Sequence, residues 1–139
     1  MSLKIRLKAH EKILLGNVVI TNGDRPTEFF VENKASILRE KDIMKEEAAT
    51  TPGKRLYFLV QLMYVDGGNQ ASYNSAYWDL SREIITAAPS TRPYLEEISS
   101  LLLDQNYYHA LKTAHRLVDY EAQLTTSFRE KVGVEYARP

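Results

Sequence analysis

The N-terminal third of the chain alternates between apolar and polar positions. Apolar and basic residues follow one another singly at its start: Leu3, Lys4, Ile5, Arg6, Leu7 and Lys8. This is the period of a half-buried β-strand. Short apolar runs follow at 13–15, 18–20, 29–31 and 37–38, separated by the turn signals Gly16-Asn17 and Asn22-Gly23-Asp24. Because Pro26 cannot donate to a ladder, it should lie in a turn. The pattern predicts four to five short strands between Leu3 and Ile43, in an antiparallel meander.

The period becomes helical after Thr51. One stripe at i, i+3, i+4, i+7 and i+8 is formed by Leu56, Leu59, Val60, Met63 and Tyr64. Thr51 suits an N-cap and Pro52 suits the first helical position. Ser90 or Thr91 would cap a later helix in the same way. Gly67-Gly68 should end this first helix, Pro89 should stop the second, and Asn106 should open the longest, in which Ala110 leaves room for close packing. The fold class is therefore α+β: a small antiparallel sheet in residues 1–50, about four helices in 51–128 and a flexible tail in 129–139.

Composition restricts the class of protein. The 139 residues are 44% hydrophobic and 26% charged, which fits one compact domain with an ordinary core. The chain contains no cysteine, has no apolar N-terminal leader and has no apolar run long enough to cross a bilayer. We therefore expect a cytoplasmic protein without a membrane partner.

Candidate chemistry is sparse. On a helix, His109 and His115 point in different directions, and His10 falls at a corner between strands. Gly67-Gly68 lacks the Lys and Ser/Thr of a phosphate-binding loop. The carboxylates lie in solvated surroundings without a partner that would separate their pKa values. The sequence predicts no catalytic residues, no metal site and no cofactor, and it favours binding over catalysis.

Cations are concentrated in the N-terminal segment. Residues 1–55 hold eleven Lys and Arg against eight Asp and Glu, and the remainder holds seven against ten. If the predicted strands are neighbours, their basic side chains would form a ribbon that follows a phosphate backbone. The candidate nucleic-acid contacts are Lys4, Arg6, Lys8, Lys34, Arg39 and Lys41.

The tyrosines suggest a second surface. The chain has nine of them, and several lie within or beside helical stripes. Tyrosine is common at protein interfaces, but an amphipathic core with hydroxyls at its rim has the same pattern. As candidate partner contacts we take Tyr64, Tyr73, Tyr77 and Tyr108.

Four sequence runs resemble the FlbT family of flagellar regulators. They are Asn33-Lys34-Ala35-Ser36-Ile37-Leu38-Arg39-Glu40-Lys41-Asp42-Ile43-Met44, then Thr51-Pro52-Gly53-Lys54-Arg55-Leu56-Tyr57-Phe58, and finally Tyr107-Tyr108-His109-Ala110-Leu111 with Asp119-Tyr120-Glu121. Gly53 departs from the alanine that is more usual there. The resemblance implies a post-transcriptional regulator that binds the 5′ untranslated region of flagellin mRNA, as a repressor or an activator. The alternative is a helical, chaperone-like adaptor that binds a flagellar protein.

Residues 3–45 are also similar, more faintly, to the RNA-binding CsrA proteins. Arg39 matches an arginine of that family's closing strand, and Lys4 and Arg6 match contacts of its first strand. His10 stands where CsrA proteins usually have glycine. This similarity implies an RNA site between the first and last strands and a homodimer with strands interleaved through residues 1–50, which would bring Arg6 of one copy towards Arg39 of the other.

Overall fold

The computed structural model describes residues 2–66 and 70–132 and confirms the α+β class. Five strands come first: β1 (Leu3–Leu7), β2 (Lys12–Leu15), β3 (Val18–Thr21), β4 (Thr27–Val31) and β5 (Ile37–Arg39). The helices follow as α1 (Pro52–Val65), α2 (Gln70–Ala87), α3 (Arg92–Leu103) and α4 (Tyr107–Val132). None of the described helices is long and apolar enough to cross a membrane.

The predicted meander is wrong. The strands form two antiparallel sheets, β1–β4 and β3–β2–β5, and β2–β3 is the hairpin closed by Gly16 at φ 61°. Asn22 explains why β4 leaves β3: its amide donates to the carbonyls of Lys8 and Arg25, at 2.8 and 2.9 Å. The His10 N–H also donates to the Gly23 carbonyl at 2.8 Å. The turn at 22–25 is thereby fastened to the corner after β1, and the chain passes from one sheet to the other.

Several sequence predictions about the helices are confirmed. The Thr51 hydroxyl caps α1 by accepting the Lys54 N–H at 3.2 Å, and Pro52 takes the first helical position. α2 ends before Pro89, as predicted, whereas Thr91 precedes α3 without capping it because its hydroxyl donates to the Ala88 carbonyl. Ala110 is fully buried, which confirms its packing role. The expected stop at Gly67-Gly68 lies outside the described residues, as does the tail beyond Val132; α4 itself extends past the predicted boundary at 128.

The sheets and helices share a core. Leu14 of β2 and Leu38 of β5 pack within the same apolar cluster as buried residues of α1 to α4, among them Leu56, Tyr77, Leu95 and Leu117. A smaller cluster of Ile5, Leu7 and Ile13 lies within the sheets. The change of secondary structure near residue 50 is therefore not a break in packing.

A polar stripe on α1 holds the chain that leaves β5. The Tyr57 hydroxyl donates to the Asp42 carbonyl at 2.5 Å, and the Gln61 amide exchanges two hydrogen bonds with the Met44 backbone, at 2.8 and 2.9 Å. The Tyr64 hydroxyl bonds both the N–H and the carbonyl of Ile37, each at 3.0 Å. These contacts satisfy backbone groups of β5 and of the chain that follows it, which would otherwise be unpaired.

Glu121 of α4 caps the start of α1. Its carboxylate accepts the Gly53 N–H at 2.8 Å and bonds the Thr51 hydroxyl. A negative charge is stabilised at a helix N-terminus, where backbone donors are unpaired. A Cβ on residue 53 would lie 2.7 Å from that carboxylate, so glycine allows the approach.

Candidate nucleic-acid interface

The outward face of the β1–β4 sheet carries two of the predicted cations and one carboxylate. In the antiparallel register Arg6 lies opposite Glu28, and Lys4 lies opposite Phe30. The Glu28 carboxylate pairs with both cations, at 2.7 Å from Arg6 Nε and 3.3 Å from Lys4 Nζ. Phe30 is 57% exposed, with Lys4 Nζ 6.0 Å from its ring centroid. Glu28 therefore neutralises part of the positive charge that the strand pattern predicted.

Arg39 connects the two sheets. Its guanidinium donates to the Arg6 carbonyl at 2.5 Å and lies 3.4 Å from the Glu11 carboxylate. Glu11 in turn accepts the Lys8 N–H at 2.8 Å, and this hydrogen bond, followed by the charge of Arg39, lowers the pKa of Glu11. Arg39 of the last strand thus contacts Arg6 of the first strand within one chain. The interleaved dimer had predicted that these two residues approach each other between two copies. The homodimer itself stays a prediction.

Three of the predicted cations form no salt bridge in the described part of the chain. Lys8, Lys34 and Lys41 are exposed and form no ion pair within residues 2–66 and 70–132. Lys8 follows β1, Lys34 lies in the link between β4 and β5, and Lys41 follows β5 in a short 3₁₀ turn. These lysines can bind an anion without first giving up an internal salt bridge.

An open cleft, lined by residues of the sheet region on one side and of the helices on the other, lies at the surface; we call it the sheet–helix cleft. One part, of about 380 Å³, is lined by Leu3, Ile5, Arg39 and Lys41 on the sheet side and by Tyr64, Tyr108 and Lys112 on the helix side. An adjoining part, of about 610 Å³, is lined by Lys34, Ala35, Ser36, Tyr64 and the residues 105–108. The cleft therefore brings Lys34 and Lys41 together with residues from the far end of the sequence.

Lys112 is the residue of the cleft that sequence reasoning missed. It is exposed on α4, forms no ion pair among the described side chains, and its Nζ lies 5.2 Å from the centroid of the Tyr108 ring. The i, i+4 spacing of Tyr108 and Lys112 was a signal for their contact on a helix. Their position opposite Lys41 could not be read from spacing.

The four predicted partner tyrosines have different surroundings. Tyr77 is only 1% exposed and its hydroxyl lies 2.8 Å from Ser99 Oγ, so it belongs to the core and not to a partner surface. Tyr64 is half-buried and holds β5, while the half-buried Tyr73 donates to Asp66 at 2.8 Å. Tyr108 is 42% exposed, and its ring lies 5.9 Å from that of Tyr64. Among the four, Tyr108 has the greatest exposed surface for a partner.

These features define a small α+β protein with a cleft edged by lysines and tyrosines. The family model described as "Flagellar protein FlbT" matches residues 3–125. This chain therefore belongs to the FlbT family, which confirms the resemblance seen in the sequence. FlbT is a family of regulators and not of enzymes.

Named relatives span nearly the same length. The chain is 43% identical over 125 residues to the "Probable flagellum biosynthesis repressor protein FlbT 1" of Bradyrhizobium diazoefficiens, covering 89% of this chain and 85% of that protein. It is 42% identical over 124 residues to the corresponding probable repressor of Rhodopseudomonas palustris, covering 89% and 98%. Identity to the "Flagellum biosynthesis repressor protein FlbT" of Caulobacter vibrioides is 36% over 123 residues, covering 87% of each chain. No solved structure matches significantly.

Proposed function

We propose that this chain represses flagellum biosynthesis by binding the 5′ untranslated region of flagellin mRNA and altering its translation or decay. Membership of the FlbT family, whose named relatives are flagellum biosynthesis repressors, supports the regulatory role. The site of action is the cytoplasm, where the mRNA is translated. RNA recognition through the sheet region supplies the mechanism.

The observation that carries the proposal is the state of the cations in residues 1–50. Glu28 holds Lys4 and Arg6, and Glu11 approaches Arg39, but Lys8, Lys34 and Lys41 have no ion pair in the described part of the chain. A lysine that meets a phosphate releases condensed counterions, and this release drives much of the binding to nucleic acids. The three unpaired lysines are therefore assigned the phosphate contacts.

Arg39 has a different role. Because its guanidinium joins the Arg6 carbonyl to Glu11, it fixes the relative position of the two sheets. Removing it would loosen the site as well as remove a charge. An Arg39→Ala variant therefore tests RNA binding less cleanly than substitutions of the lysines.

The test is a binding isotherm of the full chain with the flagellin leader RNA of its own organism. Replacing Lys8, Lys34 and Lys41 together by Ala should weaken binding roughly tenfold or more at moderate salt. The matched control replaces three exposed cations outside the site, Lys45, Arg55 and Arg92, and should bind like the parent. Equal affinity of both triple variants would contradict the proposed site.

Repression itself is tested with a leader–reporter fusion. Reporter translation should fall when the parent chain is expressed and should recover with the variant that lacks Lys8, Lys34 and Lys41. A rise in reporter output with the parent chain would reverse the proposed sign while leaving RNA binding in place.

A helical adaptor is the second candidate function, and exposed apolar side chains outside the sheets favour it. Trp78 of α2 is 40% exposed and Leu103 at the end of α3 is 75% exposed. Large exposed apolar groups often mark protein contacts. If the leader RNA does not bind, the adaptor function is favoured over the RNA-binding one.

A further inference from the structure

The helix wall of the sheet–helix cleft presents an aromatic ring beside a lysine. Tyr108 and Lys112 both lie on α4, and both line the same part of the cleft as Lys41 from the sheet side. Lys112 Nζ is 5.2 Å from the centre of the Tyr108 ring, which is the geometry of a cation–π contact. The helical body thus carries features that suit a nucleic acid, although the sequence placed all candidate contacts for RNA in residues 1–50.

We propose that the sheet–helix cleft binds one unpaired RNA base, which stacks on Tyr108 while Lys112 and Lys41 contact the flanking phosphates. The inference rests on the proposed function and adds a base-binding position to it. Tyrosine suits stacking because its ring is large and rigid and because every base offers a π-face. The 42% exposed fraction of Tyr108 leaves ring surface available to a base.

The charges around the cleft favour a polyanion. Arg39, Lys41 and Lys112 line the same part of the cleft as Tyr108, together with the single carboxylate of Asp42. Neither Lys41 nor Lys112 forms an ion pair within the described ranges, so their charges are available to phosphate. The cation–π contact of Lys112 is weak at an exposed site and is readily exchanged for a phosphate contact.

An unpaired base fits better than a duplex. Bases inside a double helix are stacked on each other, and their faces cannot meet a side chain. The adjoining part of the cleft is lined by Gln105 and Asn106. Because Asn106 Oδ1 is already bonded to His109 Nδ1 at 2.8 Å, the Gln105 amide and the NH2 group of Asn106 are the groups that can bond the edge of an exposed base. Single-stranded segments of a leader RNA present both the face and the edges of their bases.

The test uses the full chain and a short single-stranded RNA that carries the fluorescent base 2-aminopurine, whose emission falls when it stacks. The parent chain should quench the emission. Tyr108→Leu should abolish the quenching and weaken binding roughly five- to hundredfold, whereas Tyr108→Phe should keep both. Trp78→Leu is the matched control, since Trp78 is an aromatic of similar exposure on α2 and does not line either part of the cleft.

Lys112 provides a second readout. Lys112→Ala should reduce the slope of log affinity against log salt by about 0.7, the value for one phosphate contact on a single strand, while Lys112→Arg should retain it. The control Arg55→Ala, an exposed cation on α1, should leave the slope unchanged. Melting curves of each variant separate lost binding from lost folding.

The outcomes distinguish this inference from the proposed function. If Tyr108→Leu binds RNA and quenches the fluorescent base like the parent, the base position is wrong and RNA binding stands. If the parent chain binds no RNA, the proposed function fails first. If polyglutamate competes as well as single-stranded RNA and the base is never quenched, the cleft binds acidic protein segments and the assignment to a base is overturned.

Discussion

The sheet region and the helical body differ in how much of their apolar surface is buried. In the helical body Leu56, Val60, Ile98 and Leu117 have no exposed surface. The sheet region has a cluster of only three buried residues, and it leaves Leu3, Val18, Val19 and Phe30 more than half exposed. A sheet this small is marginal by itself, so it depends on the helices.

The difference indicates a division of labour. Most of the buried apolar side chains belong to the helices, and the polar stripe of Tyr57, Gln61 and Tyr64 bonds the chain around β5 to them. The sheets bury few residues of their own, so their exposed faces can carry charged side chains. Binding sites are commonly drawn from the less stable parts of a fold for this reason.

Truncation in the helical core should have the largest effect. Leu111 is 3% exposed within the main cluster, so Leu111→Ala should lower the free energy of unfolding by about 2–5 kcal/mol through lost contacts and a cavity. Thermal and denaturant unfolding measure this loss. If the variant melted like the parent, the face of α4 that carries Leu111 would have to point away from the core.

The second largest loss of stability should follow when the hydrogen bonds between α1 and β5 are removed. Tyr64→Phe removes the hydroxyl that bonds both backbone groups of Ile37, and it should lower stability by about 1–2 kcal/mol. Hydrogen exchange should accelerate at β5 before it does in α4. Equal acceleration throughout the chain would contradict a stripe that acts locally on the sheet.

Three tyrosines predict that the chain loses stability at alkaline pH. Burial raises the pKa of Tyr57, Tyr64 and Tyr77 above 10 in the folded chain. The neutral phenol is therefore favoured by folding, so stability is full below pH 10 and falls as the pH rises beyond it. Unfolding measured from pH 8 to 11 should show this loss, and it should be smaller in Tyr64→Phe. A flat profile would contradict burial of these hydroxyls.

A smaller effect is expected at the corner after β1. His10 has a φ of 64°, in the left-handed region where glycine is unstrained. His10→Gly should therefore stabilise the chain by about 0.5–1 kcal/mol, partly offset by the greater freedom of unfolded glycine. Ala9→Gly at the neighbouring exposed position is the control and should not stabilise. A lower melting temperature for His10→Gly would indicate that the imidazole has a contact of its own.

The smallest stability change should follow from Glu28→Gln. Its salt bridges with Lys4 and Arg6 join side chains that are at least 45% exposed, and such pairs contribute at most about 1 kcal/mol. Affinity for RNA should rise, because Lys4 and Arg6 are then available to phosphate. Glu32→Gln, an exposed carboxylate beyond β4, is the control. Unchanged or weaker RNA binding by Glu28→Gln would exclude this face of the sheet from the site.

Local features could be predicted from the sequence, and pairing between distant segments could not. The alternation of apolar and polar residues located the strands. The sequence also predicted the N-cap at Thr51, the first helical position at Pro52 and the close packing at Ala110, because each of these depends on neighbouring residues. The order of the strands depends on Asn22 joining two corners, a contact without a local pattern. Gln61 lies among apolar residues of the sequence, and its bonds to the Met44 backbone appear only in the fold. The cleft was missed for the same reason, since Lys41 and Lys112 line one cleft only in the folded chain.

The most direct measurement of the central claim is the salt dependence of leader-RNA binding by the full chain. If Lys8, Lys34 and Lys41 each contact a phosphate, log affinity should fall linearly with log salt concentration. Replacing the three by Ala should flatten that slope by about 2, from about 0.7 for each contact on a single strand. The Lys45, Arg55 and Arg92 variant should keep the parent slope. A slope that is the same in all three proteins would contradict phosphate binding by the sheet region.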